Sequence, residues 1–227
     1  MNLDKEINKY DQFNPSYIGG RQDILRLIPN TARLVLDVGC STGVLGASVK
    51  AFTGAKVVGI EYSKEMAGIA CRRIDEVLIG DAEKILSDGI LDKYSFDTII
   101  FADVLEHMKD PWKSMQKAVR LLKPNGRIIS SIPNVRHIDT IYNLVIKGYW
   151  PYRSRGIHDR SHLRFFTKKN IVELIESSGM CVEVIQCNYR LLEKPCSINR
   201  FAKYFAVPGI RCFLVFQYLI CSRKTIC

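Results

Sequence analysis

The chain predicts an α/β fold: a mostly parallel, seven-stranded sheet with helices on both faces, in a single domain. Three observations predict it. Short, continuously apolar runs of strand length alternate with runs of helix length. A glycine-rich turn follows the first apolar run directly. The 227 residues, 47% hydrophobic and 25% charged, suffice for one α/β domain with its own core.

The elements follow in order. Arg33–Asp37 (RLVLD) reads as a short buried strand, and residues 43–51 as the helix after it. Lys56–Glu61 (KVVGIE) is the second strand and Lys64–Arg73 the second helix; Glu76–Ile79 is the third strand. Phe96–Ala102 (FDTIIFA) is the fourth. Pro111–Leu122 is helical, with Asp110 as N-cap and Pro111 at the first helical position. Lys123–Gly126 turns the chain into a fifth strand, Arg127–Ile132. Residues 133–167 break the rhythm. They are rich in aromatics, Arg and His, too long for a plain connection, and read as an insertion with its own short helix. A helix at Lys168–Ser177 and a strand at Met180–Gln186 resume the pattern. Residues 188–208 form a second insertion, helical around Ile198–Phe205, and Arg211–Cys221 is the last strand.

Composition narrows the setting. The first ten residues are polar, so no secretory signal is expected, and the apolar run Cys212–Cys221, broken by Gln217, is too short to span a bilayer. A cytoplasmic location is expected. The eight cysteines contain no C-x-x-C pair; Cys40, Cys71, Cys181 and Cys187 sit in or beside apolar runs and are expected to be buried free thiols. The net charge of +10 favours anionic partners or simple solubility. The densest basic cluster is Arg153, Arg155, Arg160, Arg164, Lys168 and Lys169.

The first strand ends at Asp37, and Gly39, Cys40 and Gly43 form the turn into the helix. The order is Asp-x-Gly-x-x-x-Gly, whereas a dinucleotide site shows G-x-G-x-x-G with a pyrophosphate on the helix N-terminus. S-adenosylmethionine carries no phosphate, and its ammonium needs acceptors such as Asp37. The glycine pattern alone is weak. The strand ends strengthen it: Glu61, followed by Tyr62, is placed to accept from ribose hydroxyls. Asp81, in Gly80-Asp81-Ala82, is placed to accept from an adenine amino group, and Asp103 ends the fourth strand. Open parallel sheets bind ligands at this rim.

The strings LDVGCSTG, GIE, GDAE, FDTIIFADVLEH and LLKPNGRII resemble the successive motifs of class I S-adenosylmethionine-dependent methyltransferases, over residue 21 to about 185. The resemblance implies the Rossmann-like methyltransferase fold and S-adenosylmethionine as cofactor, with S-adenosylhomocysteine as product. It implies that Asp37, Gly39 and Gly43 contact the methionine part, with Cys40 in the same loop but without chemistry of its own. Glu61 holds the ribose, with Tyr62 after it also expected to bind cofactor, Asp81 and Ala82 hold the adenine, and Asp103 lies near the sulfonium. Tyr17 and Arg21 match positions that cap the cofactor, Arg21 pairing its carboxylate. On this reading residues 1–30 form an N-terminal cap and 31–132 the cofactor-binding core. Residues 133–167 are the acceptor-site insertion, and 168–227 the C-terminal helices and last strands.

The methyl group is already activated, so an acceptor site must align a hydroxyl and take its proton. His107, His137, His158 and His162 are the only histidines. His107, just past the fourth strand, is favoured. Asp159, His158 and His162 lie in GIHDRSHLRFFT, which reads equally as an acceptor pocket or as a buried polar clasp anchored by Phe165 and Phe166. With SIPNVRH, this string resembles a methyltransferase subgroup associated with glycan and cell-surface polysaccharide assembly, so a sugar, nucleotide-sugar or glycan hydroxyl is the first expectation. Asp103-x-x-Glu106-His107 is also similar to the E-x-x-E-H signature of metal-assisted ubiquinone-biosynthesis and small-RNA ribose methyltransferases. Asp replaces its first Glu, and no metal is expected; a set of Asp103, Glu106 and His107 is the alternative. The alternatives for function are O-methylation of RNA ribose or of a quinone-like or small aromatic metabolite, and cofactor binding without catalysis. No RNA-binding module is recognisable, so nucleic acid is not the expected partner. The aromatic, basic stretch 196–227 reads as the last strand and its packing, with a site cover, a dimer contact or a peripheral membrane contact as alternatives.

Overall fold

A computed structural model describes residues 20–194 and 196–224; Tyr17 lies outside the described residues. Seven strands form one sheet: β1 (Leu34–Val38), β2 (Lys56–Glu61), β3 (Glu76–Ile79), β4 (Phe96–Ala102), β5 (Leu122–Pro133), β6 (Met180–Tyr189) and β7 (Val215–Lys224), in the order β3-β2-β1-β4-β5-β7-β6. The first five strands pair in parallel, whereas β7 runs antiparallel to both β5 and β6. The sheet is therefore mixed, one strand being reversed. Antiparallel neighbours need no crossover helix between them.

Successive residues on the central strands bury opposite faces. Leu36, Val58, Ile99 and Ile128 join one core, while Val35, Val57, Ile100 and Ile129 join the other. That is why these strands read as unbroken apolar runs. Helices cover both faces: α1 (Gln22–Leu25), α2 (Val44–Thr53), α3 (Lys64–Ala70), α4 (Ala82–Ile85), α5 (Pro111–Arg120), α6 (Ile138–Ile141) and α7 (Lys168–Glu176). Local chemistry sets their starts. Ser63 caps α3 through the Met66 N–H, and Asp110 caps α5 with Pro111 at its first position. Thr167 and Asn170 form a capping box at α7.

Several expected boundaries move. The last strand begins at Val215, because Arg211–Leu214 is a helical turn (α9, after α8 at Ala202–Phe205) and ladder partners start only at Val215↔Tyr189 and Gln217↔Pro133. β5 begins at Leu122, which pairs with Phe96, ahead of the expected Lys123–Gly126 turn. Helix α3 stops at Ala70, and β6 continues to Tyr189. Cys40 is buried, but Cys71 and Cys181 are exposed and Cys187 is half-buried: lying beside an apolar run did not place them in the core. Among the described residues no helix is long and apolar enough to cross a membrane.

Residues 134–167 leave and rejoin the sheet at adjacent points, joined by a bridge between Asn134 and Phe166. Helix α6 opens this segment and widens into a π-helical turn at Tyr142–Ile146. Phe166 is buried in the core, whereas Phe165 is half-exposed against Trp150, ring centroids 5.0 Å apart.

Candidate active site

The carboxyl ends of β1, β2 and β4 open into one cavity of about 1360 Å³. Sites for one small ligand run to roughly 300–1,000 Å³, so there is room for a cofactor and an acceptor. The glycine turn forms its floor. Gly39 has φ +73°, and a Cβ there would meet Val104 at 2.6 Å, so only glycine fits. The Gly39 and Cys40 N–H groups donate to the Ile60 carbonyl at 2.8 and 2.9 Å, which ties the turn to the end of β2. Gly43 also has positive φ and lies against the backbone of Ala70, outside the cavity wall.

Glu61 ends β2 with its carboxylate fixed: Oε2 accepts from the Ser41 N–H and Oε1 from the Ser63 N–H, both at 2.8 Å. A carboxylate has about four acceptor sites, so two remain for a ligand. Tyr62, 79% exposed, stands at the rim. Asp37 lines the cavity but is buried, and neither of its oxygens has a hydrogen-bond partner among the described residues. Burial, and then the nearby Glu61, push its pKa up to about 7. Burial also raises the Cys40 thiol, with Asp37 and Glu61 adding to it; Cys40 is no nucleophile.

Asp37 makes stability depend on pH. A carboxyl whose folded pKa is raised favours the native state below its ordinary value of 3.8, and that benefit is lost as the pH rises through about 7. Above pH 7 the buried charge costs on the order of 4 kcal/mol. Asp37→Asn is therefore expected to melt above wild type at pH 8, with the gap closing toward pH 4. Thermal melts of the ligand-free proteins check this, and a gap that does not vary with pH contradicts it.

Two expected cofactor residues are engaged differently. Asp81 Oδ1 caps α4 by accepting from the Glu83 N–H, and Asp81 is not part of the cavity wall, although Gly80 and Ala82 are. Arg21, expected to pair a ligand carboxylate, is bound to Asp103 and Asp23. Asp103 has φ +58°, strained for a non-glycine residue, and is a hub. Its carboxylate accepts from Arg21, Gln217 and the Ser131 hydroxyl, the last at 2.7 Å. Gln217 also accepts from Asn188 at 3.2 Å. The sequence signal for Gln217 was its interruption of an apolar run; Ser131 and Asn188 carried none.

Glu106, His107 and His162 converge at the end of β4. Their ligand atoms all lie within 4.8 Å of one another, with His162 Nε2 4.0 Å from Glu106 Oε1. Both Glu106 oxygens are buried without a hydrogen-bond partner among the described residues, and burial, with Asp103 next, raises its pKa well above the ordinary value. His162 Nδ1 donates to the Ile157 carbonyl at 3.1 Å, and His107 Nδ1 faces the Ser161 carbonyl at 3.3 Å. Nε2 of each ring is thereby left as an acceptor. Burial, then His107, push the His162 pKa down to about 4, so it is neutral at pH 7. One carboxyl group and two imidazoles, each facing a backbone carbonyl, suit a divalent cation. Asp103, placed in the alternative metal set by sequence, is outside this group because Arg21, Ser131 and Gln217 occupy its oxygens.

The GIHDRSHLRFFT string divides between its two readings. His158 does not reach the cavity: it is fully buried, with Nδ1 2.7 Å from Glu193 and Nε2 3.2 Å from the Thr140 hydroxyl. Burial, then Arg153, lower its pKa to about 4. Arg153 also pairs with Glu193. His158 is thus part of a clasp, and its expected catalytic place is corrected. His137 is likewise structural: it caps α6 and contacts the Arg190 carbonyl at 2.9 Å. Asp159 and His162 do line the cavity, with Asp159 accepting from the Ser161 N–H at 2.8 Å.

With the strand-end rim and this cluster in view, residues 12–183 match the methyltransferase-domain family, and the chain belongs to it. It is an S-adenosylmethionine-dependent methyltransferase with a Rossmann-like fold. The chain is 27% identical to a ubiquinone biosynthesis O-methyltransferase of Coxiella burnetii over 223 residues, covering 88% of this chain and 92% of that protein. It is 30% identical to the protein so named in Paraburkholderia phymatum, covering 66% and 65%. A solved S-adenosylmethionine-dependent methyltransferase from Thermotoga maritima superposes with a TM-score of 0.65 at 21% identity, covering 98% of each chain. The names of the Coxiella and Paraburkholderia relatives fall with the quinone-like alternative and not with the glycan acceptor expected first; the strings that suggested a glycan build the clasp and part of the cavity wall.

Proposed function

We propose that the chain transfers a methyl group from S-adenosylmethionine to a hydroxyl of a quinone-like aromatic ring, with a divalent cation held by Glu106, His107 and His162. The observation that carries this reading is the buried, unpartnered Glu106 carboxylate facing two oriented imidazole nitrogens on the cavity wall. An isolated buried carboxylate is costly unless it is neutralised or bound to a cation. The ubiquinone-biosynthesis names of the relatives support the acceptor class.

In this reading Glu61 accepts from the ribose hydroxyls with its two free acceptor sites. Ala82 lies along the adenine, and Asp37 faces the ammonium. Asp103, held by Arg21 and Gln217, shapes the wall near the sulfonium. The acceptor oxygen attacks the methyl carbon in line, and the carbon–sulfur bond breaks with its electron pair going to sulfur. A divalent cation supplies Lewis acidity that lowers the pKa of the acceptor hydroxyl. With His162 Nδ1 donating to the Ile157 carbonyl and Nε2 given to the cation, the released proton passes to water in the cavity, and Asp159 and Ser161 support the loop that carries His162.

The test is transfer of labelled methyl from S-adenosylmethionine to 3,4-dihydroxybenzoate and to 4-methylcatechol. Methylated catechol is expected, with activity falling at least about 100-fold on exhaustive chelation and returning with Mg²⁺, Mn²⁺ or Zn²⁺. Activity unchanged by chelation removes the cation from the reading. No transfer to either ring removes the acceptor class.

A further inference from the structure

Several cations line the acceptor end of the cavity. Arg153 is paired with Glu193 and Asp139, and Arg21 with Asp23 and Asp103. Arg155, Arg190 and Lys194 also line the cavity, and none of them has a carboxylate partner among the described residues. Arg155 lies on the loop that bears Asp159 and His162. Lys194 follows Glu193, which fastens that loop through Arg153 and His158. Arg155 and Lys194 thus belong to the acceptor end rather than to the cofactor end formed by Glu61 and Ala82, and Arg190, whose charge interacts with Asp103 and Arg155, stands beside them.

Arg190 is the most constrained of them. Its backbone N–H donates to the Leu214 carbonyl at 2.8 Å, and its own carbonyl is 2.9 Å from His137 Nε2. Its guanidinium lies 3.9 Å over the Phe216 ring and donates to the Glu193 carbonyl at 3.3 Å. A guanidinium has five donors in a planar fork that matches a carboxylate or phosphate, and most of these remain open. Most acids nearby are committed: Asp103 to three donors, Glu193 to Arg153 and His158, and Asp159 to Ser161, while Glu106 belongs to the group with His107 and His162 proposed above to hold a cation. A half-buried arginine held flat on an aromatic ring, with further cations beside it and no carboxylate bonded to it among the described residues, is arranged for an anion brought by the ligand.

We infer that the methyl acceptor carries an anionic group, a carboxylate or a phosphate, and that Arg155, Arg190 and Lys194 bind it. This rests on the acceptor lying in this cavity, as proposed above, and deepens that reading from a ring hydroxyl to a ring hydroxyl on an anionic molecule.

The experiment is calorimetric titration of the protein saturated with S-adenosylhomocysteine, using three probes: 3,4-dihydroxybenzoate, neutral 4-methylcatechol and inorganic phosphate. Either dihydroxybenzoate binds at least tenfold more tightly than 4-methylcatechol, which identifies a carboxylate, or inorganic phosphate binds and competes with it, which identifies a phosphorylated acceptor. Arg190→Met keeps the stacking shape and removes the charge; with Arg155→Gln and Lys194→Gln it should weaken the anionic probe at least tenfold. The same variants should leave 4-methylcatechol and S-adenosylhomocysteine affinities within about twofold, which also shows that they are folded. Equal binding of charged and neutral rings, no binding of either anion, or equal losses for all probes in the variants overturns the inference. Binding is read without turnover, so anion binding that persists without methyl transfer would count against the proposed reaction and not against the subsite.

Discussion

Glu106→Gln is expected to lower kcat/KM by about 10³-fold or more, roughly 4 kcal/mol of lost transition-state stabilisation, while leaving the protein as stable as wild type or more so. The two effects have one cause. The Glu106 carboxyl group is buried with both oxygens unpartnered among the described residues, and burial holds its pKa well above the ordinary range. An amide of the same shape removes the charge that the interior does not compensate, and replacing uncompensated buried charge is often neutral or stabilising. It also removes the one anionic member of the Glu106, His107 and His162 group. Thermal melts and steady-state kinetics on the same preparation check it. Activity within a few-fold of wild type would make Glu106 an ordinary buried acid. A collapse of both activity and melting temperature would make it a structural strut. His162→Gln and Asp159→Asn are the companions: turnover should fall while S-adenosylhomocysteine affinity holds, because neither side chain belongs to the cofactor rim.

Glu61→Ala is expected to weaken S-adenosylhomocysteine at least about 100-fold, close to 3 kcal/mol. Each charge-assisted hydrogen bond contributes about 1.5–3 kcal/mol, and Glu61 stands to lose more than ligand contacts. Its oxygens hold the Ser41 and Ser63 N–H groups, so the alanine variant also releases the glycine turn from β2. Isothermal titration with S-adenosylhomocysteine, and with NADH as a control, checks it. Wild type should bind the first and not the second. Retained affinity in the variant would move the ribose contact elsewhere on the rim. Glu61→Gln separates the two roles, since it keeps an acceptor for one N–H but lacks the charge.

Much of this molecule is legible in one dimension. β2 and β4 lie where their apolar runs do, because strands covered on both faces are apolar through their middles; β3 matches its run although it is an edge strand and only half-buried. The glycine turn and Glu61 are legible because a parallel sheet delivers the ends of its strands to one rim. Gln217 left a trace as a polar break in an apolar run, but not its partner: that depends on a reversed strand placing it beside Asp103. The direction of β7 was not legible, since an apolar run reads the same either way. Nor could the histidines be sorted. His158 and His162 share one short string, yet four residues of loop turn one into a closed polar cluster and the other toward the cavity.

The sequence by itself determined the alternating α/β architecture, the turn after β1 and the acid at the end of β2, because these follow from local periodicity and backbone freedom. Only the tertiary structure decided that Asp81 caps a helix, that Arg21 binds Asp103, and that His162 meets Glu106 and His107. Those contacts join segments far apart in the chain, and burial and competing donors, which no local pattern encodes, settle which partner each charged group takes.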